Sequence, residues 1–504
     1  MSHLKHVRML APLTVFLVVL TVLATAPTAL ARANAVVKPL VRVSGPSPYA
    51  GCSTAGQPGT VYVNSEVEPW VSANPTNSKN IIGVWQQDRW SNGGAQGLVA
   101  GFSFDSGKTW SQTNLPFSAC AGSGAIKDPF TGTPYNRASD PWVSIGPDGT
   151  AYAIALEATN STISGNNDTG VATVTSSDGG QTWINPSLIK SDQGTGPIFE
   201  VSHFFNDKES ITADPIHAGT AYAVWDRLQA PSHSPDADLH AHAFQGPTWF
   251  SRTTDGGKTW TGTRVIFDPG QNSQTIGNQV VVDPRTGILY DFFTLFQTTG
   301  SPNFTPRGVS AAFISSSDGG NTWSQPTVVS SQQAAADTDP NTGAPIRTGA
   351  GLPEVAINAT TGQLYVVWED ARFTGGTVNQ AVISTSTDGG KTWSAPAAVS
   401  TPTGKPAFTP AVAVNAAGVV GVTYYDFRNL PAGDTTDLPT DYWFTSSTDN
   451  FGTSVRITPK SFDMLNAPFA GGFFVGDYEA LTNIGTSFVP FFVQTNTGNT
   501  SNRT

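Results

Sequence analysis

The segment STSTDGGKTW, residues 384–393, recurs in recognisable form along most of the chain. Four copies keep its Asp, Gly, Thr and Trp spacing, and a weaker copy, SSTDNFGTS, surrounds Asp449. The four are FSFDSGKTW with Asp105, TSSDGGQTW with Asp178, RTTDGGKTW with Asp255 and SSSDGGNTW with Asp318. Successive aspartates lie 73, 77, 63, 70 and 61 residues apart, a period that fits four short strands with their loops. Each repeat is therefore predicted to form one β-sheet.

The residue types of the segment are those of a tight turn. Asp accepts hydrogen bonds from backbone N–H groups two or three residues further on, and Gly supplies a positive φ. Thr and Trp then begin the next strand, where the indole can be buried between neighbouring sheets. Each copy is predicted to be a hairpin turn between two antiparallel strands, with a structural role for its Asp.

The pattern S-x-D-x-G-x-T-W is the Asp-box, and through it the chain resembles the sialidase-like (BNR repeat) β-propellers over essentially its whole mature length. The resemblance implies an all-β propeller. As evidence of function it is weaker, because Asp-boxes occur on many unrelated secreted propellers.

The number of blades follows from pairs of strand signals that precede the boxes. Seven pairs are present, which predicts seven blades; six is the alternative, with the last pair added to the first blade. Pro39–Ser44 matches the strand that follows an Asp-box and is predicted to complete the last blade, leaving no free sheet edge. The pairs span residues 69–89, 141–156, 210–227, 279–295, 353–372, 410–428 and 477–494.

The first 35 residues have the features of a secretory signal peptide. Basic residues precede an apolar run, 9–24, that is too short to span a membrane comfortably, and small residues follow up to Ala35. Cleavage is expected after Ala35, with Ala31 as second choice. The mature chain, 36–504, is then predicted to be a single propeller domain that is extracellular, monomeric and without a membrane span.

Charge and composition limit the classes of molecule that are expected to bind this protein. The net charge is −11 for the whole chain, and residues 1–35 carry three basic and no acidic side chains, so the mature part is more acidic still. An acidic surface argues against nucleic acid and anionic membranes as partners. The two cysteines, Cys52 and Cys120, are predicted to form a disulfide, since the protein is expected to be exported.

The beginnings of the first strands carry the candidate site. Glu68, Asp140 and Asp477 fall in one register of blades 1, 2 and 7, which are neighbours if the ring closes, so the three carboxylates are predicted to cluster at the channel mouth. Clustered carboxylates raise one another's pKa, which makes a general acid, or bind a cation. The structural alternative is that each caps its strand or pairs with Arg89.

The second strands end repeatedly in an aromatic residue, an acid and an arginine. Arg89, Arg372 and Arg428 could clamp a ligand carboxylate at the channel mouth, as the arginine triad of sialidases does. Because the motif occurs in four blades, Asp to Arg bridges between blades are the alternative.

The resemblance also implies an Asp acid/base and a Tyr nucleophile assisted by Glu. Asp140 matches the first by type, Tyr478 or Tyr425 the second, and Glu68 or Glu479 the third. The R-I-P motif that carries the first sialidase arginine is absent, and the blade count differs.

No cofactor is expected. A structural calcium ion is conceivable in the loop with Asp434, Asp437 and Asp441, although the spacing is not that of an EF-hand. Blade 3 offers a further candidate for a metal or proton-transfer site, with a solvated loop as the alternative. Its residues are Asp207, Lys208 and Glu209 of the entry NDKES and His233, Asp236, Asp238, His240 and His242 of the following loop.

Two functions remain open from the sequence. One is a secreted sialidase-like glycoside hydrolase acting on glycans at the channel face. The other is a propeller without catalytic activity that binds glycan or protein there, with Trp70, Trp142 and Trp225 as stacking platforms. Convergence of Arg, Tyr and carboxylate favours the enzyme, and arginines satisfied within their own blades favour the binding module.

Overall fold

A computed structural model describes residues 36–52, 56–160, 167–194, 203–230, 245–298 and 306–496. In these ranges the chain is nearly all β, as the sequence predicts: thirty strands and four short 3-10 turns, Ala119–Gly124, Arg372–Thr374, Ser447–Asp449 and Met464–Asn466. The predicted leader and the loop with His233, His240 and His242 lie outside the described residues.

The six Asp-boxes, counting the weak copy, mark six repeats of strands, and the last pair of described strands is numbered as repeat 7. Repeat 1 comprises β1 (Val61–Ala73), β2 (Ile81–Trp90), β3 (Ala95–Ser103) and β4 (Ser111–Asn114). Repeat 2 comprises β5 (Arg137–Ile145), β6 (Ala151–Ala158), β7 (Thr169–Ser176) and β8 (Ile184–Asp192). Repeat 3 comprises β9 (His203–Ala213), β10 (Ala221–Ala230), β11 (Gln245–Gly246), β12 (Thr248–Thr253) and β13 (Arg264–Phe267). Repeat 4 comprises β14 (Ser273–Val282), β15 (Leu289–Thr298), β16 (Pro306–Ser316) and β17 (Thr327–Ser331).

The second half of the chain continues in the same way. The loop after repeat 4 contains β18 (Ile346–Arg347). Repeat 5 comprises β19 (Glu354–Ile357), β20 (Leu364–Asp370), β21 (Gln380–Ser386) and β22 (Ala397–Ala398). Repeat 6 comprises β23 (Ala407–Val414), β24 (Val420–Asp426), β25 (Pro439–Ser446), β26 (Val455–Arg456) and β27 (Phe462–Asp463). After β28 (Phe473–Phe474), repeat 7 is described by β29 (Ala480–Ile484) and β30 (Ser487–Phe491).

Successive long strands of a repeat pair antiparallel, so each of the first six repeats is a meander. Two short pairings join neighbouring repeats: β3 pairs with β5, and β11 pairs parallel with β14. The parallel pair β18–β28 ties the loop before repeat 5 to the loop before repeat 7.

Each full Asp-box closes a turn around its carboxylate. In the copy at Asp388, the Ser386 hydroxyl and the Thr392 N–H both donate to Oδ1 at 2.9 Å, and the Thr392 hydroxyl donates to Oδ2 at 2.6 Å. Gly390 adopts φ 84°, and a Cβ there would lie 2.4 Å from the Phe313 ring. At Asp105 the backbone donors are three and four residues further on, one residue later than predicted, so the carboxylate spans the whole turn.

The tryptophan of a box packs on the preceding repeat. The ring centroids of Trp393 in repeat 5 and Phe292 in repeat 4 are 5.9 Å apart. Those of Trp323 in repeat 4 and Phe250 in repeat 3 are 5.6 Å apart. Trp110 of repeat 1 lies 6.0 Å from Phe491 of repeat 7. The tryptophans of the boxes thus fill the space between neighbouring sheets, and repeat 1 packs against repeat 7.

The first strands of the repeats also contact one another in series. β1, β5, β9, β14, β19, β23 and β29 each contact the next strand in this order, and β29 contacts β1 as well. The first strands of neighbouring repeats therefore lie side by side, and the candidate site residues of these strands can come together.

The predicted completion of repeat 7 by Pro39–Ser44 is not confirmed. No strand occurs among the described residues from 36 to 60. Gln112 of β4 donates its side-chain amide to the Val43 carbonyl at 2.7 Å, so this segment runs along repeat 1. Beyond β30, the Val493 N–H donates to the Tyr425 hydroxyl oxygen, so the chain turns toward repeat 6.

Cys52 and Cys120 form a disulfide, as predicted, and close a loop of 68 residues. The bond ties the segment before β1 to the 3-10 turn that follows β4. In the part of the chain that the structure describes, no helix has the length and apolar character needed to cross a membrane.

Candidate functional site

The first strands of several repeats have a β-bulge at the same position, and this bulge sets the orientation of the candidate side chains. Register shifts place Glu68 in β1, Asp140 in β5 and Lys208 in β9 at positive φ, 53°, 52° and 47°. Gly277 in repeat 4 and Thr409 in repeat 6 occupy the equivalent bulges. A bulge re-aims a side chain that would otherwise follow the strand alternation. The bulge residues of repeats 1 to 3 are thus the charged ones.

Lys208 brings three carboxylates together. Its ammonium lies 3.3 Å from Glu68 Oε1, 3.0 Å from Asp140 Oδ2 and 2.8 Å from Asp477 Oδ2. All four side chains are buried. The structure therefore places the three predicted carboxylates in one cluster, with a lysine at its centre.

Two arginines complete the cluster. Arg347 of β18 donates to both oxygens of Asp477, at 3.1 and 2.7 Å, and packs 4.3 Å from the Phe474 ring. Arg89 at the end of β2 is 2% exposed, donates to Gln86 at 2.9 Å and packs 5.1 Å from the same ring. Burial and the charge of Arg347 lower the Arg89 pKa to about 10, which keeps Arg89 charged at neutral pH.

The surroundings move the pKa of two carboxyls in opposite directions. Burial, and then the Asp140 charge, raise the pKa of Glu68 to about 8, although Lys208 acts against this rise. Burial would raise the pKa of Asp140 too, but Lys208 and the Ser139 hydroxyl outweigh it and hold that pKa below its ordinary value. Glu68 is therefore protonated and Asp140 ionised at neutral pH, the division of roles that acid–base catalysis requires.

A layer of polar and aromatic groups surrounds these carboxyls. Gln86 donates its amide to Glu68, and to Ser139 at 3.0 Å. The Tyr478 hydroxyl donates to the Pro141 carbonyl at 3.3 Å, and the Tyr478 ring lies 5.4 Å from Lys208 Nζ. Burial and the nearby carboxylates raise the Tyr478 pKa well above its ordinary value, so this hydroxyl stays protonated.

Glu209 follows Lys208 in β9 and has no hydrogen-bond partner for either carboxyl oxygen among the described residues. It is 2% exposed, and burial followed by the Asp140 charge raises its pKa well above the ordinary value. Arg89 Nε is a second unpartnered polar atom beside the cluster.

Two of the predicted arginines lie apart from this cluster. Arg372 donates to both oxygens of Asp370, at 2.8 and 2.7 Å. Arg428 donates to Asp426 at 2.6 Å and to the Tyr424 hydroxyl at 3.0 Å. Both guanidinium groups are thus paired within their own repeats.

Tyr425 and Glu479 form a separate buried pair. The Tyr425 hydroxyl lies 2.9 Å from Glu479 Oε1 and donates to the Val493 carbonyl at 2.6 Å. Burial and then Glu479 raise the Tyr425 pKa well above its ordinary value. This is the Tyr and Glu combination that the family resemblance implies, but both groups are held in their neutral forms by burial.

Asp441 of the candidate calcium loop is surrounded by hydrogen-bond donors of the protein. Asp441 accepts hydrogen bonds from Asn429, Arg456, Thr458 and Ser461. In the described ranges, no three His, Cys, Asp or Glu side chains are grouped as ligands of a metal ion.

The sequence marks Lys208 within NDKES but does not join it to the carboxylate cluster, and it does not indicate Arg347 at all. A signal existed for Lys208, because NDKES lies at the start of the first strand of repeat 3, where repeats 1 and 2 carry Glu68 and Asp140. Arg347 lies in the loop before repeat 5, outside the register that was compared.

Comparison with known proteins supports the resemblance based on the Asp-boxes. A sialidase from Micromonospora viridifaciens is 29% identical over 197 residues, covering 34% of this chain and 29% of the relative. The match therefore spans less than a third of that protein. No protein-family model matches the chain.

Solved structures with a similar chain course include two glycoside hydrolases. The Hadza microbial sialidase Hz136 has 18% identity and a TM-score of 0.43, covering 72% of this chain and 64% of its own. An α-L-arabinanase from Penicillium chrysogenum, solved with arabinobiose, has 14% identity and a TM-score of 0.44, covering 73% of this chain and 91% of its own.

Proposed function

We propose that this protein is a secreted, sialidase-like glycoside hydrolase whose active site is the cluster around Lys208. The observation that carries the proposal is the pair of carboxyl groups, Glu68 and Asp140, held on one ammonium with pKa values shifted in opposite directions. Glycoside hydrolysis uses such a pair, one group to protonate the leaving oxygen and one ionised. The partial identity with a sialidase supports the same reaction class.

Each side chain of the cluster then has a role. Glu68 is the proton donor, since it carries a proton at neutral pH. Asp140 remains ionised and stabilises positive charge on the sugar or activates water. Asp477, fixed by Arg347, positions Lys208, and Tyr478 lines the site. Arg89 keeps part of the cluster ionised, while Arg372 and Arg428 are structural in this proposal.

The same proposal includes a seven-bladed propeller formed by residues 36–504. The serial contacts of the first strands and the packing of Trp110 on Phe491 support a closed ring of seven repeats. The site would then lie at the channel mouth, on the face opposite the Asp-boxes.

Export and partners form the third part of the proposal. Residues 1–35 direct secretion, and the disulfide between Cys52 and Cys120 supports an oxidising compartment. The mature protein acts on glycans as a monomer, without a cofactor and without nucleic acid.

A screen of purified residues 36–504 against fluorogenic glycosides, including a sialoside, tests the proposal. Glu68→Gln and Asp140→Asn should each lower kcat by roughly 10²–10⁴-fold while circular dichroism stays unchanged. Glu157→Gln is the matched control, because Glu157 is a buried carboxyl of β6 that accepts only from the Ser118 N–H. Full activity in both site variants would refute the assignment.

A binding module without catalytic activity is the second candidate. The pairing of Arg372 and Arg428 within their own repeats favours it, as does the complete set of ion pairs around Lys208. Saturable glycan binding with no turnover of any glycoside would select this function.

A further inference from the structure

The ion pairs of the cluster restrict the charge of the ligand. We infer that the site takes an uncharged glycan and excludes acidic sugars such as sialosides and uronides. The location of the site and the hydrolytic readout rest on the proposed function, whereas the preference for uncharged ligands can also be measured by binding.

Arg347 and Lys208, two cations of the cluster, already form ion pairs with its acidic side chains. Arg347, whose side chain is 12% exposed, directs two donors at Asp477. Lys208, 5% exposed, is surrounded by three carboxylates within 3.3 Å. An incoming carboxylate would have to displace one of these acids and leave it buried without its partner, which is strongly unfavourable.

Arg89 does not supply the missing binding site for an anion. It packs against Phe474, and the nearby acidic side chains, Asp140 and Asp477 among them, stabilise its ionised form. Recognition of a ligand carboxylate works best with a guanidinium that presents two free donors side by side. Arg89 donates to Gln86 and lies near Asp140 and Asp477, whose charges repel an incoming carboxylate, and Arg372 and Arg428 are paired elsewhere.

The unpartnered polar atoms beside the cluster match an uncharged sugar better. Arg89 Nε is a donor, whereas the Glu209 carboxyl offers an acceptor and, when protonated, a donor. A sugar hydroxyl both donates and accepts, so hydroxyl groups can satisfy both kinds of atom. A ligand carboxylate only accepts, and it would be repelled by Asp140 and Asp477.

Matched pairs of substrates test the inference directly. The 4-methylumbelliferyl β-glucoside and β-galactoside carry a hydroxymethyl group where the corresponding glucuronide and galacturonide carry a carboxylate. A fluorogenic sialoside completes the set. A panel of other uncharged glycosides is measured beside them. Because buried polar groups left unpaired give large discrimination, kcat/KM should favour an uncharged substrate by roughly 10²-fold or more. Equal or better turnover of a uronide or the sialoside would overturn the inference and leave the hydrolase proposal intact.

Binding of uncharged and acidic oligosaccharides, measured by calorimetry, distinguishes the hydrolase proposal from the inference about ligand charge. If no glycoside is turned over but uncharged oligosaccharides alone bind, the hydrolase proposal fails and the inference stands. Binding of acidic oligosaccharides alone, or of neither class, overturns it.

A variant that frees an arginine provides the converse experiment. Asp477→Asn releases Arg347, so binding of sialyllactose should appear or strengthen by about tenfold or more, as expected when a charge pair is removed. Asp426→Asn is the matched control, because it releases Arg428 outside the cluster and should leave sialyllactose binding unchanged. The substrate pairs, measured on the unaltered protein, decide the question if Asp477→Asn does not fold.

Discussion

Lys208 contacts three buried acidic side chains, Asp140 among them in its ionised form, so its removal leaves buried charge without its counter-ion. Lys208→Met keeps most of the side-chain volume and should lower the free energy of unfolding by about 3–5 kcal/mol, the cost of breaking a buried ion pair. The pKa of Asp140 should rise at the same time, because Lys208 is what holds it down. Urea denaturation and titration followed by NMR measure the two effects.

Lys190→Met is the control for this substitution. Lys190 pairs with Asp192 at 3.2 Å, but Asp192 also pairs with Arg227 and so keeps a counter-ion, and the loss should be only about 0–1 kcal/mol. Similar losses in both variants would mean that Lys208 contributes no more than one cation of a pair whose acid keeps a second partner.

The register of the first strands was enough to predict that Glu68, Asp140 and Asp477 meet. The same register did not identify Lys208, because its neighbours differ from the E-P-W and D-P-W of repeats 1 and 2. Arg347 could not be predicted from periodicity, since β18 depends on a tertiary contact with β28. The pairing of Arg372 and Arg428 does not follow from the sequence, because an arginine triad and a set of Asp to Arg bridges use the same repeated residues.

The hydrogen bonds of the Asp-box close each turn. The chain contains both full boxes and one weak copy, so the two kinds can be compared within one protein. Asp318 accepts from Ser316, from the Thr322 N–H and from the Thr322 hydroxyl, whereas Asp449 of the weak copy accepts from the Gly452 N–H at 3.2 Å. Asp318→Ala should lower Tm clearly, and Asp449→Ala should lower it less. Differential scanning fluorimetry of the two variants checks this; equal shifts would contradict the structural role.

The pH dependence of this element has a definite sign. The Thr322 N–H and hydroxyl lower the pKa of Asp318 to about 2. The stabilisation is therefore present above the ordinary carboxyl pKa and is lost only as the pH falls toward 2. The difference in Tm between Asp318→Ala and the unaltered protein should accordingly vanish in strong acid.

Most strands and turns could be predicted because Asp, Gly and Trp recur at fixed positions in each repeat. The placement of Pro39–Ser44 could not, since a six-residue segment that resembles a strand fits the edge of more than one sheet. In the structure, Gln112 and the space beside Gly101 hold Val43 on repeat 1.

The molecule as a whole buries many carboxyl groups whose pKa is raised chiefly by burial. Burial first of all raises the pKa of Glu66 to about 8, and that of Asp337 to about 6. Further carboxyls with raised pKa values are Glu157, Glu209, Asp226, Asp291, Glu354, Glu369 and Glu479. The folded state therefore binds more protons than the unfolded state between about pH 4 and 8.

Stability should consequently fall as the pH rises through this interval, because raised carboxyl pKa values stabilise the fold only while the groups are protonated. The urea midpoint is expected to be higher at pH 5 than at pH 8. Glu157→Gln should raise the midpoint at pH 8 and leave it nearly unchanged at pH 5, since it replaces a buried acid by a neutral isostere. A midpoint that increases from pH 5 to pH 8 would contradict this reading.

The contact of β29 with both β1 and β23 also bears on how the protein is made. Glu68, Asp140 and Lys208 leave the ribosome early, but Asp477 is translated 269 residues after Lys208. A chain that stops before residue 477 lacks both the last carboxylate and the strand that lies between β1 and β23. The charged centre is consequently complete only in molecules whose synthesis has passed repeat 6, so a prematurely terminated product cannot assemble the site.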